Sequence, residues 1–287
     1  MEIITNNTIM VFDAEHDEIV NSDSESVANP GFVLSNRDGH SVTSYVELLT
    51  KVASLSYYNP RFQILFRGQK TDYKMGDSIN TSDLYPSILR QFVSKKSERR
   101  EALDMKFELL KIAEQLLVDI IRNRDLIENQ IVRWAILQHY EVCKTPLLDI
   151  TSSLQSALTF AIGDRNEGWL YVLAFPQLTG GISVSIESKT QVINLSQICP
   201  PEALRPHFQH GLLASDYPEI RSREQSHGQS GMRGNNFSAR LLTKFKLQNC
   251  HAWRTEGFTP TPDEILFPNA IDPWYVLTQV VRDKIHA

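Results

Sequence analysis

The sequence is poor in cysteine. Cys143, Cys199 and Cys250 are the three it has, widely spaced and without a Cys-x-x-Cys pair. Such a set argues against a disulfide framework and a structural zinc site, and a reducing cytoplasm is the expected setting. Long apolar runs are missing too. None approaches the roughly 18 residues of a membrane helix, and the N-terminus has neither a basic start nor an extended apolar region. Neither membrane association nor a secretion signal is therefore expected. There is no excess of positive charge: the net charge of -5 weighs against broad electrostatic binding of nucleic acid or of an anionic membrane. Only a local basic patch leaves that route open. No internal repeat is present. What remains is ordinary for a folded protein, 41% hydrophobic and 22% charged over 287 residues. That length allows one large domain or two small ones, with a sizeable core either way.

Residues 1–40 read as an acidic N-terminal arm, with Asp13, Glu15, Asp17, Glu18, Asp23 and Glu25. Its one apolar run, Ile9 to Phe12, suits a strand; the rest reads as solvated loop, with a partner-binding segment as the alternative. Residues 41–287 read as a single domain. Ser41 to Ser54 has helical spacing, capped by Thr43 or Ser41. Arg61 to Gln69 is a buried strand that delivers Arg67 at its end, followed by Gly68. An arginine beside a residue that permits close backbone approach suits an anionic group such as a phosphate, and a salt-bridging arginine is the plainer alternative. Asp72 to Ser87 reads as loop. A long helix starts at Ser97, breaks near Asn123 to Asp125, and resumes with Ile127, Ile131, Trp134 and Leu137 in one apolar stripe.

The stretch from Gln138 to Ala161 changes character three times. A helix end carries Gln138-His139-Tyr140, a short apolar run ends on Asp149, and Thr151-Ser152-Ser153 precede a second apolar helix. An acid and three hydroxyls between a strand and a helix start suit a site held by rigid elements; they also suit a helix cap. Beyond it, Trp169–Phe175, Ile182–Ile186, Gln191–Leu195, Arg205–Leu213 and Leu241–Leu247 read as strands. Residues 221–240 read as a long surface loop or lid. The tail holds a capping-box sequence, Thr261-Pro262-Asp263-Glu264, and a last helix from Asp272-Pro273 that buries Trp274, Leu277 and Val281. Helices dominate the first half and strands the second. The expected fold class is α+β, a helical first half packed on a mostly antiparallel sheet.

Several separated pieces resemble the bacterial FRG domain in order and spacing. They are Phe66-Arg67-Gly68, Tyr85-Pro86-Ser87, Gln138-His139-Tyr140, Leu147-Leu148-Asp149 with Thr151, and Ala157-Leu158-x-Phe160-Ala161. Gln209 with Gly211 and the Ile265 to Pro268 tail extend the likeness over roughly residues 41–285. The sequence departs from the pattern in its middle. The family usually has an arginine before Leu-Leu-Asp and a tryptophan after it; here Pro146 and Ile150 stand there, with Lys144 two residues further back. The resemblance implies a component of a bacterial toxin or phage-defence system.

The order of an arginine strand, a strand-Thr-Ser-Ser-helix unit and a later strand with Gln or Glu also looks like the ADP-ribosyltransferase superfamily. That likeness implies an ADP-ribosyltransferase-like fold and an NAD-dependent transferase or NAD glycohydrolase, with NAD as substrate. Arg67, Gly68, Gln69, Tyr85, Thr151, Ser152 and Ser153 would bind it. Asp149, Gln209, Tyr140 and His139 would be the catalytic candidates, because an oxocarbenium-like transition state needs a carboxylate or amide beside the ribose. The glutamate usual in that superfamily has no counterpart, since Phe208-Gln209-His210-Gly211 offers only Gln209. The target would be protein, nucleic acid or NAD itself, and Arg221, Arg223, Arg233 and Arg240 would face a polyanion. The alternative function is a non-catalytic module that senses a nucleotide or a phage component, with a phage or antitoxin protein as partner. Metal-assisted hydrolysis through His139 with Asp149, or His207 with His210, is a third reading. It is disfavoured for the second pair, because strand side chains three apart face opposite ways.

Overall fold

The computed structural model describes residues 10–13, 18–21, 30–74, 81–90, 96–121, 128–222 and 236–286. In chain order the elements are β1 (Met10–Asp13), β2 (Glu18–Asn21), α1 (Pro30–Asn36), β3 (His40–Val42), α2 (Tyr45–Tyr58) and β4 (Phe62–Gln69). Then come α3 (Lys96–Ile120), α4 (Gln130–His139), β5 (Leu148–Thr151), α5 (Leu154–Ile162), β6 (Glu167–Pro176), β7 (Ile182–Ser185) and β8 (Thr190–Asn194). The chain ends with α6 (Leu195–Ile198), α7 (Leu204–Phe208), β9 (Gly211–Asp216), β10 (Leu241–Gln248), α8 (Asp263–Leu266) and α9 (Pro273–His286). The fold is α+β, with mostly antiparallel strand pairing. No described helix is long and apolar enough to cross a membrane.

The contacts divide the chain into two compact units. The first comprises Met1–Leu84, Ile150–Gln177 and Phe237–Thr261. In it β10 pairs with β3 in parallel and with β6 antiparallel, and β6 pairs with β4 antiparallel. Strand alternation decides the faces. Phe62, Ile64 and Phe66 of β4 join Leu170, Val172 and Ala174 of β6 in one core, with Ala157, Leu158 and Ala161 of α5 packed on them. Arg67, Gln69, Trp169 and Tyr171 therefore take the opposite face.

Helix α5 can approach this sheet because two glycines lie beneath it. A Cβ built on Gly68 would stand 1.7 Å from the Ala157 carbonyl oxygen, and one on Gly168 would stand 2.5 Å from the Ala161 oxygen. The small side chains of Ala157 and Ala161 complete the fit from the helix side. Helix α2 is held by a carboxylate from far along the chain. Glu256 accepts from the Ser44 hydroxyl at 2.7 Å, the Tyr45 N–H at 2.7 Å and the Val46 N–H at 3.2 Å. These donors have no partner within the helix, and a negative charge suits its N-terminus. They also hold the Glu256 carboxyl below its usual value of 4.5, against a smaller opposing pull from burial.

The second unit comprises Tyr85–Asp149, Leu178–Asn236 and Pro262–Ala287. Strands β7, β8 and β9 form an antiparallel meander. The stripe Leu103, Phe107, Leu110, Ala113 and Leu117 of α3 packs with Ile131, Trp134 and Ala135 of α4, Ile193 and Leu213 of the strands, and Val281 of α9. Glu114 ties α3 to α4. Its carboxylate accepts from Trp134 Nε1 at 3.0 Å, Gln130 Nε2 at 3.1 Å and the Arg133 guanidinium.

Several local expectations are corrected. Residues 40–42 are a strand, so the first long helix begins at Tyr45 with Ser44 as its cap. Arg205–Leu213 is helix α7 followed by β9, not one strand. Pro206 lies in the first turn of α7, where its missing N–H interrupts no helical bond. His210 takes a φ of 48° between the two elements. The opposite-face argument about His207 and His210 loses its premise. The Thr261 capping box does not form: α8 starts at Asp263 without a side-chain cap, and the Thr261 N–H bonds Thr159 Oγ1. In α9 Val281 is buried, whereas Trp274 and Leu277 are only partly so. The break expected at 123–125 and most of the 221–240 loop, with Arg223 and Arg233, lie outside the described residues. Arg240 is buried in a 3-10 turn rather than displayed.

The Gly68 contact predicts that Gly68→Ala lowers stability by about 2–3 kcal/mol in urea unfolding, because the helix backbone must move. Gly180→Ala, with nothing within 4 Å of the added carbon, is expected to leave the transition unchanged. For Glu256 the depressed carboxyl contributes stability that is complete above pH 4.5 and is lost as pH falls through its lower folded value. Melting curves from pH 6 down to 3 are expected to show a smaller acid-induced drop for Glu256→Gln than for the parent.

Candidate functional site

In the second unit the motif residues meet at Gln138, the penultimate residue of α4. Its Nε2 donates to Asp149 Oδ2 at 2.7 Å. Its Oε1 accepts from Ser87 Oγ at 2.9 Å, Thr145 Oγ1 at 3.0 Å and the Thr145 N–H at 3.2 Å. One amide thus ties together the Tyr85-Pro86-Ser87 segment, the α4 terminus and the start of β5. Asp149 is half-buried in this arrangement. Tyr85 is half-buried as well, and its carbonyl accepts from Arg90 Nε at 3.0 Å. Sequence reasoning quoted Gln138 and Ser87 as motif letters but gave neither a role. An amide next to two hydroxyl-bearing motifs was the available signal.

The neighbouring motif residues are tied into the interior. The Tyr140 hydroxyl is fully buried and donates to Asp272 Oδ2 at 2.9 Å. Burial, then the Asp272 charge, raises its pKa well beyond the ordinary tyrosine value. Asp272 also accepts from the backbone N–H groups of Arg205, Trp274 and Tyr275, so it caps α9 and anchors α7 together. His139 is buried, its ring against Gly211, where a Cβ would stand 2.6 Å from its Cε1. Burial and the Arg205 charge bring His139 down to about 3, against a hydrogen bond to the Arg205 backbone. The imidazole is neutral at physiological pH. Gln209 is buried and its Nε2 donates to the Leu266 carbonyl at 2.7 Å. Arg205 bonds Glu141 at 2.6 Å and lies over the Phe267 ring at 4.8 Å.

In the first unit, Arg67 pairs with Tyr171, and Tyr171 with Lys244, giving one cross-strand row on the face away from the core. Asp72 closes on this row. It accepts from Tyr171 at 2.7 Å, Lys74 at 2.6 Å and Lys244 at 3.0 Å. Lys244 also donates to Ser82 Oγ at 2.9 Å and to the Ser35 carbonyl at 3.1 Å, which occupies all three of its N–H groups. Burial pulls Lys244 down to about 8, opposed by Asp72. Burial pushes Asp72 up, but the bonds from Lys74, Ser82 and Tyr171 and the Lys244 charge outweigh it and hold the carboxyl below its usual value. Sequence reasoning missed Asp72, Tyr171 and Lys244. A lysine inside the apolar strand Leu241–Gln248 was the one hint. Thr151 Oγ1 accepts from the Ser153 N–H at 3.0 Å, and Ser153 Oγ from the Ser156 N–H at 3.1 Å. Both hydroxyls therefore serve the α5 cap, while Ser152 is exposed.

The candidate residues thus divide between the units. Arg67, Gly68, Gln69 and Thr151 to Ser153 belong to the first, and Tyr85, His139, Tyr140, Asp149 and Gln209 to the second. Among the described residues no group of three or more His, Cys, Asp or Glu is arranged to hold a metal ion.

The class defined so far is an α+β protein whose short motifs are wired together by buried polar groups. Comparison with known families gives a match over part of the chain: residues 63–168 are similar to the FRG domain. The match runs from β4 to the start of β6. It leaves out Gln209 and the Ile265–Pro268 tail. No curated protein and no solved structure matches the chain.

Gln138→Leu is expected to leave Ser87, Thr145 and Asp149 without their common partner and to cost about 1–3 kcal/mol in denaturant unfolding. Asp149→Asn retains an acceptor for the Gln138 amide and is expected to cost less.

Proposed function

We propose that this protein is a binding module for an anionic, nucleotide-like ligand, taken up on the sheet face that carries Arg67. The observation that supports a non-catalytic reading is the fate of the catalytic candidates. His139, Tyr140 and Gln209 are all buried, and the tyrosine hydroxyl and the Gln209 amide are each engaged with the protein's own groups. A neutral imidazole held near 3 is a weak base, and a tyrosine raised above its usual value is a weak acid. Arg67 supports the ligand class, because a guanidinium at a strand end matches phosphate geometry bidentately.

A second reading, an NAD-dependent transferase or glycohydrolase, is favoured by Asp149. Its carboxylate is half-buried and fixed by the Gln138 amide, which suits stabilising a developing positive charge on a ribose. Under either reading the likeness of residues 63–168 to the FRG domain supports a role in a bacterial defence or toxin system, acting in the cytoplasm on a nucleotide or a macromolecular target.

Calorimetry with NAD, ADP-ribose and AMP tests the proposal. Binding is expected for the wild type, weakened at least about tenfold by Arg67→Ala, with no nicotinamide released from NAD. Sustained nicotinamide release that Asp149→Asn abolishes would establish the transferase reading instead. Failure of all three ligands to bind would sink both.

A further inference from the structure

Gln69 ends β4 two residues after Arg67. Alternation puts both side chains on the sheet face away from the core, with their Cα atoms roughly 7 Å apart. Gln69 is 6% exposed, and among the described residues none donates a hydrogen bond to its Oε1. Directly across the β4–β6 pair stands Trp169, half-buried, and beyond Trp169 stands Lys246. The Trp169 ring is itself fixed. It packs where a Cβ on Gly39 would fall 2.5 Å from its Cζ3, and the Lys244 ammonium lies 5.7 Å from its centroid.

A buried carbonyl oxygen without a donor destabilises the state that contains it, and native proteins carry few of them. Methionine would fill nearly the same volume with no such penalty. The Gln138 amide offers the contrast within the same chain, since both its ends are bonded. An orphan acceptor on the same face as an arginine, beside an aromatic ring, is a group prepared for a donor that the protein does not supply. The missing partner is an N–H or O–H donor.

Resting on the nucleotide-binding reading above, we propose that Gln69 Oε1 accepts an N–H from the amino or carboxamide group of a nucleotide whose phosphate is taken by Arg67. Gln69 would then set specificity, and Arg67 would supply affinity for any phosphate-bearing ligand.

Two ligand pairs exchange this amino or carboxamide group for an acceptor oxygen. AMP and inosine monophosphate share ribose and phosphate, and only AMP has an exocyclic amine. NAD and nicotinic acid adenine dinucleotide differ by a carboxamide against a carboxylate. Wild-type protein is expected to prefer the member with the exocyclic amine or the carboxamide in at least one pair by about tenfold, the worth of one hydrogen bond. Gln69→Met is expected to bind both members of that pair equally, at the affinity of the poorer one. It is also expected to melt no lower than the wild type, because the orphan acceptor is gone. Gln69→Glu keeps an acceptor there and is expected to retain the preference.

The proposal is overturned if neither pair is discriminated, if Gln69→Met discriminates as well as wild type, or if Gln69→Met melts lower or fails to fold. The last outcome would make the amide structural. Arg67-dependent binding without discrimination defeats this proposal alone. Absence of any nucleotide binding defeats the reading it rests on.

Discussion

In the first unit the backbone of β4 at Gly68 lies directly against the carbonyl of Ala157 on α5. No side chain fits between them. That contact fixes how α5 lies on the sheet, and Gly168 under Ala161 repeats it one strand over. Once Gly68 faces the helix, alternation leaves no choice for its neighbours. Phe66 must enter the same core, and Arg67 must leave by the other face. The Phe-Arg-Gly tripeptide is therefore a packing device with one outward residue. Phenylalanine fills, glycine permits contact, and arginine is delivered to the opposite face of the sheet. The alanines of the Ala157-Leu158-x-Phe160-Ala161 motif are the other half of the same interface, although about ninety residues separate them from it in sequence.

The second unit rests on a different device, polar groups that each serve several partners. Gln138 satisfies Ser87, Thr145 and Asp149; Asp272 satisfies Tyr140, Arg205 and two N–H groups of α9; Glu114 joins α3 to α4. Each is a residue that looks reactive on paper. In a low-dielectric interior such groups are costly unless their bonding is complete, and complete bonding makes them strong specifiers of geometry. That explains why these motif residues cluster with their polar atoms already bonded. The Gln-His-Tyr motif supplies an organising amide, an imidazole packed on Gly211, and a phenol that anchors Asp272.

The elements with strong periodicity were legible: the strand to Gln69, the long helix from the late nineties, the helix over Leu154–Ile162 and the strand at Trp169. Local patterning alone determines these. The errors fell where a distant residue decides. The first long helix starts at Tyr45 because β3 pairs with β10 and Glu256 reaches Ser44. Arg205 to Phe208 is helical because Pro206 is harmless in a first turn and Asp272 holds the Arg205 N–H. Of the candidate site, the type of residue at each motif position was legible. The hydrogen-bond partner that determines its role was not. Thr151 and Ser153 illustrate this, because a helix cap and a ligand site need the same hydroxyls at the same spacing.

Chemistry-bearing residues are thus better sorted by what their polar atoms already touch than by type. Gln209, Gln138 and Gln69 are the same residue at three motif positions. Gln209 donates to a backbone carbonyl and holds α8 in place; Gln138 has both amide ends engaged and holds three segments. Neither can exchange its partners for a ligand without loosening the fold. Gln69 has an acceptor that none of the described residues answers, two residues from the arginine of the tripeptide. Among these three, a ligand can gain a bond without breaking one only at Gln69. Under the proposal above, the strand end at Gln69 is where a ligand gains a bond, while Gln138 and Gln209 hold segments of their own unit together.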